Sequence, residues 1–469
     1  MLLTKSRYLA GLESHALLWR IVYDSESIPE PDETLRNRFS TGKEAEELAK
    51  KLYPGIDLSR LPFKNNLEAT KDALGKKTIY EAGVMSGNLY ARIDILRSDK
   101  GLELIEVKSS TKVKNIHLQD VAFQKYVLDK AGFSVKKVSM LIINNEYVRE
   151  NDLEIEKLFK KVDVTEDVNA LQPEVEENIK GMFQVLKYVE QPDFDPYDIT
   201  KSEYGNIFIE EFLQGLPENN IFQFASIHKN KALELYNQGI IKMSDAPDFY
   251  LNDKQLIQKN NEEYIDKESI KKFLEKLKGN LNYLDFETFQ TAIPLFNNTR
   301  PYQQIPFQYS LHLKGKHKEF LYEGYEDPRP SFIQALKKDI EPGPIIAFNM
   351  SFEKKILKDL ARDFPEHKDF LDSLITRFID LAEPFKKFNY YNQKQKGSYS
   401  LKAILPQFSN LNYEELNISD GEQASRAFYE MTYKIKKQNN KIREELLKYC
   451  ELDTYAMILI HQKLEKLVR

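Results

Sequence analysis

Residues 281–288, LNYLDFET, form an apolar, aromatic run that ends on two acids spaced one apart, Asp285 and Glu287. The pattern predicts a strand. Successive strand side chains alternate between faces, so both carboxylates point the same way. Like charges that close raise each other's pKa unless a cation sits between them. A bound divalent metal is the simplest way to keep both ionised. Taken alone, Asp-x-Glu is more often a solvated strand edge, so the meaning of this pair depends on the rest of the chain.

The chain has 469 residues, enough for two or three domains with separate cores. A hydrophobic content of 41% with 12% aromatic residues is that of a globular protein. The single cysteine, Cys450, excludes a disulfide framework and any four-cysteine zinc or iron-sulfur site within the chain. It fits a reduced, cytoplasmic compartment. Residues 1–19, MLLTKSRYLAGLESHALLW, are interrupted by Lys5, Arg7, Glu13 and His15. They predict neither a signal peptide nor a membrane span, and no later run is apolar for long enough to cross a membrane. The net charge of -5 argues against broad adhesion to nucleic acid but leaves room for a local basic groove.

Residues 1–150 read as one α/β unit. A helical run over 41–52 precedes strand-like runs at 89–96, 102–107 and 138–143, with a helix over 117–131. Asp94 closes the run YARID, and ELIEVKSS then carries Glu106 and Lys108. In a strand, Glu106 and Lys108 share a face while Val107 points to the core. Asp94 and Glu106 can hold a metal while the lysine steadies an attacking water or a hydrolytic transition state. An ion pair on an amphipathic strand is the plainer explanation for Glu106 and Lys108 taken by themselves.

Residues 151–270 are richer in acids and amides, with prolines at 173, 192, 196, 217 and 247 between short helical patterns, and read as a mostly helical connector. Within it KALELYNQGIIKMSDAP, residues 231–247, predicts helix, turn and helix. The final unit, 271–469, adds strand-like runs at 307–313, 320–322 and 345–348 before a largely helical remainder. IIAFNMSFEKKIL, residues 345–357, leads from strand to helix with Ser351 as expected cap and Glu353 in the first turn. Asp380 in RFIDLAEPF and GSYSLKAILPQF, residues 397–408, follow. LLKYCELDTYAMILI, residues 446–460, is an apolar helix carrying Tyr449 and Asp453 four apart, hence on one face. An aspartate in such a helix needs a partner, because burying a bare charge is costly.

Two resemblances follow from these ordered sets. Glu46 on a helix, Asp94, Glu106-x-Lys108 and a helix carrying Gln119, Asp120 and Gln124 resemble the RecB-like branch of the PD-(D/E)xK nucleases. That resemblance implies metal ligands at Glu46, Asp94 and Glu106, with Lys108 at the attacking water. It departs at the last helix, where Asp120 and Gln124 stand in place of the usual glutamine and tyrosine. Relatives that carry an iron-sulfur cluster have cysteines where this chain has Ser14 and the cysteine-free PDFDPYDI, residues 192–199, so no iron-sulfur cluster is expected. The series Asp285-x-Glu287, Glu353, Tyr449-x-x-x-Asp453 resembles the DEDD exonucleases with their ribonuclease H-like fold. It implies two divalent ions, magnesium or manganese, about 4 Å apart, held by Asp285, Glu287, Glu353 and Asp453, with Tyr449 orienting the water. Glu353 departs from the usual aspartate.

The combination of LTKSRYLAGL, RPYQQIPFQYSLH, AFNMSFEKKIL, GSYSLKAILP and YCELDTYAM resembles, over almost the whole chain, an uncharacterised bacterial family. That family joins a RecB-like PD-(D/E)xK nuclease domain to a DEDD-type domain. The implied fold is α/β throughout: a restriction-endonuclease-like domain over 1–150, the connector over 151–270 and a ribonuclease H-like domain over 271–469. For a nucleic-acid partner, DNA or RNA, the best stretch is KKFNYYNQKQKGSYSLK, residues 386–402. There Lys386, Lys387, Lys394, Lys396 and Lys402 alternate with Tyr390, Tyr391 and Tyr399. The expected activity is metal-dependent phosphodiester hydrolysis, from chain ends, at two candidate sites. The competing reading is a nucleic-acid-binding or complex-forming protein in which one or both sites do not turn over. A phosphatase is disfavoured by the lack of a phosphate-cradling glycine loop.

Overall fold

Alternating apolar residues build two mixed sheets, one in each of the two units into which the chain divides. The computed structural model describes residues 1–75, 78–193, 205–413 and 415–469. Unit 1 comprises Met1–Gly215 with Thr291–Tyr302, and unit 2 comprises Leu216–Gln290 with Gln303–Arg469. Residues expected to form a separate connector therefore divide between them. Residues 194–199 of PDFDPYDI lie outside the described residues.

In unit 1 the strands are β1 (Leu3–Thr4), β2 (Gly55–Asp57), β3 (Thr78–Ser86), β4 (Leu89–Ser98), β5 (Leu102–Lys108), β6 (Val135–Ile143) and β7 (Phe159–Asp163). They lie in the order β2-β3-β4-β5-β6-β7, and β1 pairs in parallel with the start of β4. Three of these strands match the runs expected at 89–96, 102–107 and 138–143. Helix α1 (Lys5–Glu13) follows β1 directly, capped by the Thr4 hydroxyl. Helix α2 (Glu33–Ala49) starts earlier and stops sooner than the run expected over 41–52. Helix α3 (Asn115–Lys130) puts Val121, Phe123 and Val127 against Ile93, Leu104 and Met140 on one face of the sheet. On the other face Ala45 and Ala49 of α2 meet Ile95, Ile105 and Leu141.

The pleat of this sheet slips at one place. Ile79, Ala82 and Val84 share the α3 face while Tyr80 turns to the α2 face, so the alternation shifts at Glu81. Glu81 takes a left-handed φ of 57°, which costs a non-glycine residue about 1–2 kcal/mol. Opposite it in β4, Ile93 and Leu96 share one face and Ile95 the other, a matching slip at Asp94.

In unit 2 the strands are β8 (Glu263–Ile265), β9 (Asn282–Phe289), β10 (Ile305–Leu313), β11 (Lys316–Leu321), β12 (Ile345–Ala347), β13 (Phe378–Asp380) and β14 (Tyr390–Asn392). Five of them form a sheet in the order β11-β10-β9-β12-β13. Its first three strands are antiparallel, and β9, β12 and β13 are parallel. β8 and β14 form a separate antiparallel ribbon. Leu284 and Phe286 of β9 join Leu311, Phe332 and Leu360 on one face. Tyr283 turns to the other, against Met457, Ile460 and Leu464 of a 29-residue C-terminal helix, Asn440–Val468. Alternation sends Asp285 and Glu287 the same way as Tyr283.

Residues 231–247 do not give the helix-turn-helix expected of them. The helix Lys229–Asn237 ends in a turn at Gly239, with φ of 81°, and only a single 3₁₀ turn, Met243–Asp245, follows. No helix among the described residues is long and apolar enough to cross a membrane.

Unit 2 is also tied by a buried cation. Helix α4 (Arg329–Asp339) begins on Arg329, 1% exposed, whose guanidinium reaches Asp327 at 2.7 Å and Asp363 at 2.8 Å. Asp363 ends helix α5 (Ser351–Asp363), so the cation joins two helix termini. Arg329→Ala takes a buried counter-ion from Asp363, which keeps Arg362 at 2.8 Å, and is expected to destabilise unit 2 by about 2–3 kcal/mol in urea unfolding. A loss under about 1 kcal/mol would mean that the pair contributes no more than a solvated one.

Candidate functional site

In unit 1 the acids gather where β4 and β5 part. Their ladder ends at Ile95 opposite Ile105, so the next pair across the gap is Asp94 and Glu106. There Asp94 Oδ2 accepts a hydrogen bond from the Val107 backbone N–H at 2.8 Å. β1, paired on the other end of β4, brings the start of α1 to the same gap and with it Lys5. Glu106, 1% exposed, accepts on Oε1 from Lys108 at 2.7 Å and Lys5 at 2.9 Å, and on Oε2 from Gln124 at 2.8 Å. Asp120, 2% exposed, takes Lys108 at 2.7 Å and Gln124 at 2.8 Å, with Lys5 at 3.7 Å. Glu46 is half-buried on α2.

The sequence-derived residues Asp94, Glu106 and Lys108 therefore meet, and the charge of Glu46 reaches Glu106. Asp120 and Gln124, whose helix departs from the family pattern, are built into the network. Lys5 and Glu81 were missed. The only sequence signal for Lys5 is its place behind a capping threonine, and Glu81 reads as an ordinary strand residue until its backbone turns left-handed. Burial works against charge on Glu106, but Lys108 and Lys5 outweigh it and hold the carboxyl well below its usual range. Burial and the neighbouring Glu106 charge push Asp94 well above its usual range. Burial, then Glu81 and Glu106, raise Glu46.

The unit 2 site joins three elements. β9 supplies Asp285 and Glu287, α5 supplies Glu353, and the C-terminal helix, α6 (Asn440–Val468), supplies Tyr449, Cys450 and Asp453. Glu287, Glu353 and Asp453 are each under a tenth exposed. Asp453 Oδ1 accepts from the Tyr413 hydroxyl at 2.5 Å, and Tyr449 lies one helical turn before Asp453 with its ring 6.2 Å from that of Tyr413. The Cys450 Sγ lies 3.6 Å from Asp285 Oδ2. Among the described residues, Glu353 Oε2 is buried with no hydrogen-bond partner. Lys402, expected on a substrate-contacting loop, stands at this site instead, 5.3 Å over the Tyr413 ring and 5.8 Å over Tyr449.

Charge here is poorly compensated. Burial, then Asp453 and the other carboxylates, push Asp285 and Glu287 well above the usual range. Burial, then Asp380 and Asp453, carry Glu353 up to about 8. Burial lifts Asp453 to about 6, against the opposing effects of Tyr413 and Lys402. The donor atoms are carboxylate oxygens with one thiol, which burial and the nearby acids keep protonated. Asp285, Glu287 and Cys450 bring one donor atom each within 4.8 Å of one another, and with the carboxylate oxygens predominating and Glu353 Oε2 unpartnered nearby the set fits a hard divalent ion. The unit 1 site fits one less well, since lysine nitrogens already occupy Glu106 Oε1.

Several local expectations are corrected. Ser351 is the first residue of α5 rather than its cap, and its hydroxyl bonds the Asn349 carbonyl at 3.4 Å. Asn349, at a φ of 70°, makes the turn into the helix. Asp380 is occupied by the Asn349 and Ala382 amides and by Lys386 at 2.9 Å. Tyr390 and Tyr391 are 1% and 3% exposed, so they are core residues of the β8–β14 ribbon and cannot stack bases. Lys394, Lys396 and Tyr399 remain exposed.

Residues 282–400 match a family described as "Domain of unknown function (DUF2779)". The chain is 28% identical over 221 residues to "Uncharacterized protein MG366" of Mycoplasma genitalium, covering 41% of this chain and 33% of that protein. It is 26% identical over 262 residues to the homolog from Mycoplasma pneumoniae, 48% of this chain and 38% of that one. "Uncharacterized protein UU173" of Ureaplasma parvum is 26% identical over 241 residues, 45% of this chain and 34% of that protein. The chain thus spans about a third of the length of the curated relatives it matches. No solved structure matches.

The raised carboxyl pKa values make stability depend on pH. Each such group stabilises the fold below its ordinary pKa near 4, and that contribution is lost as pH rises through about 6 for Asp453 and about 8 for Glu353. The metal-free protein is therefore expected to lose Tm between pH 5 and 8.5, by about 5 °C or more relative to an Asp453→Asn, Glu353→Gln double variant. Excess magnesium should restore the loss at the alkaline end. Parallel Tm profiles for the two proteins in EDTA would remove the charge-crowding account.

Proposed function

We propose that this protein is a divalent-metal-dependent phosphodiester hydrolase of DNA or RNA whose working centre is the acid cluster of unit 2. The observation that carries the reading is the unpartnered Glu353 Oε2, buried beside Asp285, Glu287 and Asp453. A buried carboxylate oxygen without a donor needs a proton, a water or an ion to complete it, and beside three other acids an ion answers best. The ladder order, three antiparallel strands continuing into two parallel ones with acids on the first in sequence, supports a ribonuclease H-like assignment for this unit. The Asp94, Glu106 and Lys108 constellation supports the PD-(D/E)xK assignment for unit 1.

Asp285, Glu287, Glu353 and Asp453 would hold the ions. When bound, magnesium or manganese supplies an activated water and neutralises charge on the leaving oxygen. The chain's own part is to orient and exclude. The Tyr413 hydroxyl fixes the Asp453 carboxylate, and the Cys450 thiol faces Asp285. Lys402, held over the Tyr413 and Tyr449 rings, places a cation where an anionic strand approaches. At the exposed loop, Lys394 and Lys396 attract the backbone and Tyr399 offers a stacking face, with Lys386 5.8 Å above its ring.

A second reading holds for unit 1. With Lys5 and Lys108 both on Glu106, its site is a closed ion-pair network that a cation reaches only if Lys5 moves away. Unit 1 would then contribute binding rather than turnover.

Labelled single- and double-stranded DNA and RNA, offered with magnesium or manganese, test both readings. Asp285→Ala is expected to lower cleavage at least about 100-fold, while Lys108→Ala retains most of it. Cleavage by the Asp285→Ala variant at the wild-type rate would overturn the unit 2 assignment, and loss in Lys108→Ala would move the working centre to unit 1. Separately, Lys394→Glu with Lys396→Glu should weaken single-strand binding and flatten its salt dependence, and Tyr399→Ala should cost about 1–3 kcal/mol of affinity. Unchanged affinity at low salt would place the nucleic-acid path elsewhere.

A further inference from the structure

The sequence HLKGKH, residues 312–317, closes a hairpin between β10 and β11. Lys314 and Gly315 both take left-handed φ, 48° and 70°, as a two-residue hairpin turn of this twist demands. The register then sets His312 directly opposite His317, with ring centroids 4.5 Å apart. Glu451 of α6 completes the group: one ligand atom from each of the three residues lies within 4.8 Å of the other two.

The hydrogen bonds around the rings decide which nitrogens are free. The Thr454 hydroxyl donates to the Glu451 carbonyl at 3.0 Å. It also hydrogen-bonds His312 Nδ1 at 2.8 Å and the Ser310 hydroxyl at 2.7 Å. Ser310 in turn hydrogen-bonds His317 Nε2 at 2.9 Å. Each ring has one nitrogen held by a hydroxyl, His312 Nδ1 by Thr454 and His317 Nε2 by Ser310, so that His312 Nε2 and His317 Nδ1 are the nitrogens these hydroxyls leave open to a ligand. His317 Nδ1 stands 3.5 Å from Glu451 Oε1. Histidines whose second nitrogen is tied down by a neighbouring acceptor are oriented as metal-ligating histidines are.

We propose that His312, His317 and Glu451 bind a borderline divalent ion of the zinc type, at a centre separate from the acid cluster. Two imidazoles and one carboxylate leave a fourth position for water and favour zinc, cobalt or nickel over magnesium, which prefers all-oxygen sets. Glu451 is exposed, so its arm has room to close on the ion. The placement ties the hairpin to α6. Ser310 is the cross-strand partner of Asp285, and α6 carries Asp453, so the ion would brace α6 against the strand paired with β9.

The test needs no activity and does not depend on the hydrolase reading. The full chain, stripped with EDTA and returned to excess magnesium, is titrated with zinc by calorimetry and with cobalt by visible absorption. One zinc equivalent and the intense d–d bands of four-coordinate cobalt are expected. His312→Ala and His317→Ala should each weaken zinc at least about 100-fold and the surface variant Glu451→Gln about 10-fold, with Asp285→Ala unchanged. Circular dichroism of Glu451→Gln separates ligand loss from misfolding. No zinc uptake by wild type in magnesium, or uptake untouched by Glu451→Gln and both histidine variants, overturns the proposal.

Discussion

Gathering carboxylates out of water is the constraint on which unit 2 depends. Strand alternation leaves β9 no choice: once Leu284 and Phe286 enter one core, Asp285 and Glu287 must turn together toward α6. The helix meets them with Asp453, and α5 adds Glu353. Each acid thereby raises the others, and the protein groups at hand are weak answers to that charge: a tyrosine hydroxyl, one thiol and Lys402. Such a cluster is tolerable when its charges are neutralised by protons or by a cation.

Unit 1 meets the same difficulty differently. Its acids also lie at the edge of a ladder, but two lysines enter between them and the glutamine of α3 satisfies what remains. Glu106 is therefore stably ionised, while Asp94 and Glu46, further from the lysines' grip, are pushed upward by burial and their neighbours. The two centres are thus chemically unlike although both are read as acid clusters: one holds its counter-charges covalently within the chain, the other lacks enough of them.

Backbone detail positions both. In unit 1 the paired slips at Glu81 and Asp94 turn acids out of a regular pleat, at the conformational cost of a left-handed glutamate. In unit 2 the left-handed Asn349 lets β12 break into α5 so that Glu353 falls in the first turn, against the acids of β9. Strain at such points is found where a side chain has to be aimed rather than merely packed.

Much of this was legible in the residues. The strands around Asp94, Glu106 and Asp285, the helices carrying Gln124 and Asp453, and the shared face of Tyr449 and Asp453 all follow from periods of 2 and 3.6, which are local properties. Lys5, Tyr413 and Lys402 were not legible as site residues, because nothing near them in the chain distinguishes them from other surface cations and aromatics. Tyr390 and Tyr391 look like stacking residues in a basic stretch, and only the ribbon with β8 shows that they are core. The sequence by itself determined which acids share a face. Which charges answer them was decided by tertiary structure alone, since an ion pair between residues 5 and 106 depends on chain paths that no local pattern encodes.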